Sequence, residues 1–364
     1  MKPVVVVTGT RPEIIKMAPI LRALKKNKTP TVFVHCGQHY DYNMAQQFIE
    51  NLELTAPDYN FKIKATSPGA QTGQIIAQMD KLLEETNPAI VLVEGDTNTV
   101  LAAAIAANKR KIPVGHVEAG LRSFDLRMPE EHNRRLTDNI SDFLFAPTNI
   151  AKVNLENEKT WGKIFVTGNT VIDAVNEHLP IAERKSEILD KIKFKKYILA
   201  TAHRAENVDD IKILRNFIEA FTESPLPVVY PIHPRTKKRL CEGGLYDMIE
   251  KTPNLQVLAP LGYLDFLIAM KNSELILTDS GGIQEEATAP AIKKQVLVMR
   301  LSTERPEAVE AGFAQIVGTD KQKILSAIKS ALERKHKLPD ESPFGDGKAA
   351  ERIVDIVEKE FFVD

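Results

Sequence analysis

The chain has 364 residues, with 48 Lys and Arg against 49 Asp and Glu and a formal charge of −1. That length accommodates two domains, each with its own core, and so even a charge balance gives no global field for nucleic acid or an anionic membrane. Two cysteines, Cys36 and Cys241, stand in opposite halves without metal-ligand spacing, and no run approaches a membrane span, so a reduced, cytoplasmic protein without metal is expected.

Short β-branched runs alternate with helical patterns from end to end. The segment "VVVVTGTRPEIIK" (4–16) reads as a strand at 4–7, a turn with the single glycine Gly9, and a helix carrying Arg11 and Lys16. A strand at 31–35 leads into "GQHYD", and one at 89–94 into "GDTNT" with Asp96. The strand at 114–118 closes on Glu118 in "EAGLRS"; "MPEEHNRR" then starts a helix with Glu130 and Glu131 in its first turn. Strands at 143–146 and 164–167 follow, and the charged stretch 180–196 has none. A second series runs 197–201, 228–232, 255–258, 274–278, 296–299 and 315–317. It delivers "AHRAEN" with His203 and Arg204, "HPRT" with His233, "PLGYLDF" with Leu261 and Phe266, and "DSGGIQEE" with Ser280, Gly281, Gly282 and Glu286. "KAAERIVDIVEKEFF" has apolar residues at helical spacing and reads as a last helix packing back across the junction.

Such alternation predicts parallel sheets with helices on both faces. Twelve strands are many for one open sheet, so the expected architecture is α/β: two doubly wound, Rossmann-like domains facing a cleft. The first is expected over 1–172, completed by a helix at 348–364, and the second over 173–347, with the charged stretch 180–196 at the junction. Ligands of such sheets bind beyond the carboxyl ends of the strands, where nearly every strand here delivers a titratable or phosphate-competent residue.

Each of these residues also has a plainer reading. Thr10 can cap its helix, with Pro12 and Glu13 suited to the first turn; Asp96 with Thr97 can cap another; Glu130 and Glu131 can sit near a helix dipole. His203 and His233 can be satisfied histidines at strand ends. Glu118 is harder to explain, because an unpaired charge closing an apolar strand is costly. "DSGG" is the sharpest local signal: two glycines after a strand expose N–H groups to phosphate, Ser280 adds a donor, and Glu286 can take ribose hydroxyls. Arg11 then supplies a bidentate donor to the same phosphates from the other domain.

These residues resemble the non-hydrolysing UDP-N-acetylglucosamine 2-epimerases. The likeness covers nearly the whole chain through "GTRPEIIKMAP", "GQH", "VEGDTNTVLAAA", "VGHVEAGLRS", "PEEHNR", "VTGNTVID", "AHRAEN", "LTDSGGIQEEA" and "ERPEAVEAG", in family order. It implies the two-domain fold of the glycosyltransferase-B class, a homodimer, and interconversion of UDP-GlcNAc and UDP-ManNAc in polysaccharide biosynthesis. It also implies that Arg11, Lys16, His203, Ser280, Gly281, Gly282, Glu286 and Arg305 contact the nucleotide sugar, with Arg204 and His233 beside them. Leu261 and Phe266 would border the uracil. Asp96, Glu118 and Glu130 match the family's catalytic carboxylates, and His203 has a role in the reaction. The chain departs from the family pattern at Tyr40, at Ala70-Gln71-Thr72, and in the longer "EEATAPAIKKQVLVMRLSTERPE".

The chemistry suits these residue types. The C2 hydrogen of UDP-GlcNAc adjoins no carbonyl and is not acidic. No G-x-G-x-x-G follows a strand, which argues against a bound nicotinamide and for a reaction without a cofactor. Elimination is the remaining route: UDP leaves C1 as the C2 proton is removed, and re-addition follows with protonation of the opposite face. It needs a clamp on the departing diphosphate and acid–base groups around the sugar. Rival readings are a glycosyltransferase using a UDP-sugar donor, a hydrolysing epimerase releasing free ManNAc, and a nucleotide-sugar-binding regulator without turnover.

Overall fold

A computed structural model describes residues 1–37, 42–65, 67–333 and 337–362, apart from the side chains of 42–45 and Glu250. Gln38, His39, Tyr40 and Asp41 of the "GQHYD" motif lie outside the described residues. The chain forms two compact units, Met1–Ala174 with Phe344–Asp364, and Val175–Pro343.

The first unit runs β1 (Val4–Thr8), α1 (Arg11–Lys26), β2 (Thr31–His35), α2 (Tyr42–Asn51), β3 (Tyr59–Asn60), α3 (Pro68–Thr86), β4 (Ile90–Glu94) and α4 (Asn98–Lys109). It continues through β5 (Val114–Val117), α5 (Pro129–Ile140), β6 (Phe143–Ala146), α6 (Asn149–Asn157) and β7 (Lys163–Val166) into α7 (Thr170–Lys185). Its seven strands form a parallel sheet in the order β3-β2-β1-β4-β5-β6-β7. Val4, Val5 and Val6 are fully buried, as expected of a central parallel strand covered on both faces. Val5 pairs with Val32 on one side and Val91 on the other.

The second unit contains α8 (Ile188–Lys191), β8 (Ile198–Ala200), α9 (Ala205–Val208), α10 (Ile211–Thr222), β9 (Val228–Pro231), α11 (Pro234–Glu242), α12 (Tyr246–Glu250) and β10 (Leu255–Leu258). Then come α13 (Tyr263–Asn272), β11 (Leu275–Thr278), α14 (Gly281–Glu286), β12 (Val296–Val298), α15 (Pro306–Glu310), β13 (Ala314–Ile316) and α16 (Lys321–Glu333). Its six-stranded parallel sheet has the order β10-β9-β8-β11-β12-β13. Tyr230, Phe217 and Phe221 are fully buried in its core, with Phe221 edge-on to Tyr230 at 5.4 Å between ring centroids.

The last helix, α17 (Ala349–Phe361), belongs to the first unit: Ile353, Val354 and Val357 pack with Met17, Ile20 and Leu24 of α1. The units divide between Ala174 and Val175, inside α7, earlier than the charged stretch 180–196. The first turns of α7 are tied down, because Val171 and Ile172 are buried and Asp173 Oδ1 accepts the Ala350 N–H at 2.9 Å. The charged stretch instead completes α7 and forms α8. β3 is a strand that the pattern did not announce; its two residues have no apolar run and take their pairing from Val34 and His35 of β2.

In each sheet the strand order reverses once, between β1 and β4 and between β8 and β11. Ligands of open α/β sheets bind at such switch points, beyond the carboxyl ends of the strands.

Candidate active site

In the first unit, the β1 turn is closed by Glu13. Its carboxyl accepts the Gly9 N–H at 2.6 Å and the Thr10 hydroxyl at 3.0 Å. Thr10 therefore does not cap α1 with its side chain, as the sequence suggested; its hydroxyl is spent on Glu13. Burial pushes Glu13 up to about 7, against the opposing hydrogen bonds from Thr97, Gly9 and Thr10. Gly9 is required here for space, since a Cβ would overlap the side chain of Thr99 on α4. Arg11, the first residue of α1, is exposed, with its guanidinium 5.8 Å from the Phe48 ring centroid. A cavity of about 500 Å³ opens over this turn, lined by Thr10, Arg11, His35, Gln71, Thr97 and Asn98 among others.

One turn further along α1, Lys16 reaches the ends of β4 and β5. Its Nζ lies 3.3 Å from Glu94 Oε1 and contacts Glu118 Oε2. Both acids are buried, and the Asn169 amide donates to Glu118 at 3.4 Å. Glu118 has a φ of +69°, the left-handed region that a non-glycine residue occupies at a cost. Burial drives Glu94 well above the usual carboxylate range; Lys16 opposes this, while Glu118 and Glu13 add to it.

Asp96 forms a second hub. Its carboxylate pairs with Arg134 of α5, and its carbonyl accepts the Asn133 amide at 2.9 Å. The helix-cap reading of this segment does not hold, since Thr97 makes no side-chain cap. Glu130 and Glu131, adjacent in sequence, separate completely. Glu130 is exposed, with no side-chain hydrogen bond or ion pair among the described residues, whereas Glu131 is buried. Glu131 accepts the Ser123 N–H at 2.9 Å and pairs with Arg134 and Arg135. Burial alone would raise Glu131, but these donors outweigh it and hold it down at about 2. The fully buried His116 ring spans Asp138 Oδ1 at 2.6 Å and the Gly95 carbonyl at 2.8 Å, fixing the backbone just before Asp96.

In the second unit, the organiser is Asp279, fully buried after β11. It accepts the backbone N–H groups of His203 and Arg204, both at 2.9 Å, and the Asn207 amide at 3.2 Å. His203 is half-buried, with Nδ1 3.3 Å from Asp279 and its ring 6.1 Å from that of the exposed His233. Burial lowers the His203 pKa, Asp279 opposes the shift, and Arg204 and His233 reinforce it. Around the glycine turn, a Cβ on Gly281 would come within 4.0 Å of the Arg204 and Arg305 guanidinium groups. Arg305 is held by the buried Glu285, and Glu304 is held at about 2 because Arg300 and Arg204 outweigh its burial. Ser280 and Gly282 lie on the same turn, and Glu286 acts electrostatically on Tyr263. Leu261 and Phe266 are half-buried before and within the first turns of α13.

Within the first unit, Lys16 and Glu118 thus stand together and Asp96 stands with Arg134. In the second, His203, Arg204, Gly281 and Arg305 gather at the switch point. The motifs did not single out Glu94, Arg134 or Asp279. An acid ending or following an apolar strand was the available signal for two of them, and the i+3 spacing from Glu131 was the signal for Arg134. Among the described residues, no group of three or more His, Cys, Asp or Glu could hold a metal ion, and no helix is long and apolar enough to cross a membrane.

Comparison with known proteins adds to this geometry. The sequence model of the family described as UDP-N-acetylglucosamine 2-epimerase matches residues 22–358. The UDP-N-acetylglucosamine 2-epimerase of Methanocaldococcus jannaschii is 47% identical over 361 residues, which span 97% of this chain and 98% of the relative. The crystal structure of the M. jannaschii UDP-GlcNAc 2-epimerase in complex with UDP-GlcNAc and UDP matches with a TM-score of 0.87, over 99% of this chain and 100% of that one, at 47% identity. The Neisseria meningitidis UDP-GlcNAc 2-epimerase bound to UDP-GlcNAc matches with a TM-score of 0.88 at 39% identity, over 98% and 100% of the two chains.

Proposed function

The chain belongs to the UDP-N-acetylglucosamine 2-epimerase family, and from that premise we propose that it inverts C2 of UDP-GlcNAc reversibly, giving UDP-ManNAc by elimination and re-addition. A base takes the C2 proton, the C–H electron pair forms the C1–C2 double bond, and the C1–O bond breaks to release UDP. The diphosphate then adds back to C1 of the 2-acetamidoglucal while an acid protonates the opposite face of C2.

The observation that carries this reading is the Lys16–Glu94–Glu118 group, with Asp96 nearby in sequence on Arg134. Buried carboxyl groups beside an ammonium are an acid–base set, which a module that only binds nucleotide has no use for. In the second unit, His203, Arg204, Arg305 and the N–H groups of Ser280 to Gly282 would take the diphosphate as charge develops on it. Glu286 would take the ribose and Leu261 and Phe266 the uracil. Arg11 would add a bidentate donor, and Glu130, exposed at the start of α5, would serve the sugar with Asp96 and Glu118. The same reading expects a homodimer in the cytoplasm, where the free thiols Cys36 and Cys241 stay reduced.

Incubation with UDP-GlcNAc alone, followed by NMR of the products, tests the proposal. UDP-ManNAc at equilibrium with its epimer is the expected result. Free ManNAc with UDP would mean hydrolysis, and turnover only on adding an acceptor would mean glycosyl transfer.

A further inference from the structure

Glu94 closes β4 with only 2% of its surface exposed, and no motif assigned it a role. Its carboxyl lies 3.3 Å from the Lys16 ammonium of α1 and in the field of two further acids, Glu13 on α1 and Glu118 in the turn after β5. β1, the neighbouring strand, brings four valines and Thr8, none of them charged. The Glu94 and Glu118 carboxyl groups converge on the same Lys16 ammonium. Lys16, shared between them, offsets one negative charge and leaves a second uncompensated in a buried site.

We propose that Glu94 and Glu118 share one proton above Lys16 and act as a single acid–base unit, in which Glu94 is the positioning residue that holds the proton while Glu118 is ionised. The proposal rests on Glu118 being a catalytic carboxylate in the reaction above. With the proton on Glu94, Glu118 receives hydrogen bonds from Glu94, Lys16 and Asn169, leaving lone pairs free to accept one proton. That proton comes from C2, whose C–H electron pair moves into the C1–C2 bond as the C1–O bond breaks, so no co-reactant is needed. The left-handed backbone at Glu118 fits the arrangement: such strain persists where neighbouring contacts fix a functional side chain. Burial and the adjoining acids keep Glu94 protonated well above the usual carboxylate range, in the direction the arrangement requires.

The test is Glu94→Gln in the full-length enzyme, with the pH dependence of kcat and KM measured for UDP-GlcNAc. In the native enzyme kcat should fall at alkaline pH as the pair loses its shared proton. The Gln amide donates to Glu118 but cannot lose a proton, so the alkaline limb should move up by about one pH unit or more, with KM changed less than about twofold. Glu94→Asp should restore the native limb. Superimposable profiles for native and Glu94→Gln enzyme, or equal shifts for Gln and Asp, would overturn the proposal. Carboxyl ¹³C NMR of the native protein decides the matter if the Gln variant does not fold. A Glu94 resonance still protonated near neutrality supports the shared proton, and ordinary carboxylate titration refutes it. That measurement needs no turnover, so it separates failure of this inference from failure of the epimerase reading.

Discussion

The carboxylate of Asp279 accepts the backbone N–H of His203 at 2.9 Å and faces the same residue's Nδ1 at 3.3 Å. One buried acid thus fixes both the main chain and the ring of the proposed phosphate contact. Asp279→Asn removes the charge from hydrogen bonds to His203, Arg204 and Asn207, and should cost about 2–3 kcal/mol of stability. Because Asp279 opposes the downward shift of His203, the variant's imidazole should titrate lower still. Denaturant titration and histidine NMR check both, and an unchanged His203 titration would remove Asp279 from this role.

Arg11→Ala should slow the reaction far more than Ser280→Ala. Arg11 is exposed and makes no hydrogen bond or ion pair within the chain among the described residues, leaving its fork for an anion. Ser280, in the proposed site, would share phosphate binding with neighbouring backbone donors. A loss on the order of 10²–10³-fold in kcat is expected for Arg11, as for an oxyanion donor. Steady-state kinetics of the two variants should differ by at least tenfold; similar values would contradict the division of labour.

Glu131 should make stability acid-sensitive. Its folded pKa of about 2 lies below the ordinary 4.5, so its contribution is complete above pH 4.5 and is lost as pH falls toward 2. The linked energy is about 3 kcal/mol. Glu131→Gln should flatten the native stability curve over that interval, as read by urea midpoints, because a neutral amide has no proton to gain.

Glu13 should act with the opposite sign. Its folded pKa of about 7 lies above 4.5, so stability is complete below pH 4.5 and declines as pH rises through 7. The linked change is again about 3 kcal/mol. In Glu13→Gln the decline between those limits should disappear; a slope equal to the native one would show that Glu13 ionises normally.

The strands were legible in the sequence because parallel strands covered on both faces must be continuous apolar runs. The runs at 31–35, 143–146 and 255–258 fall on β2, β6 and β10 residue for residue. Sites at the strand ends were legible for the same reason, since polar residues after an apolar run stand at one sheet edge. Partners between elements were not legible. Nothing local says that Lys16 on α1 meets Glu94 and Glu118 across β1, or that Arg134 reaches back to Asp96. Neither does sequence order tell Glu130 from Glu131. Neighbours on a helix point about 100° apart, and only the packing of α5 decides which one is buried.

The central claim is elimination through a glycal, and solvent exchange at C2 tests it most directly. UDP-GlcNAc is turned over in D₂O and both epimers are followed by ¹H NMR and mass spectrometry. The account predicts one deuterium at C2 of UDP-ManNAc from the first turnovers and, as the reaction reverses, at C2 of recovered UDP-GlcNAc. UDP-ManNAc formed with its original C2 hydrogen retained throughout would contradict it.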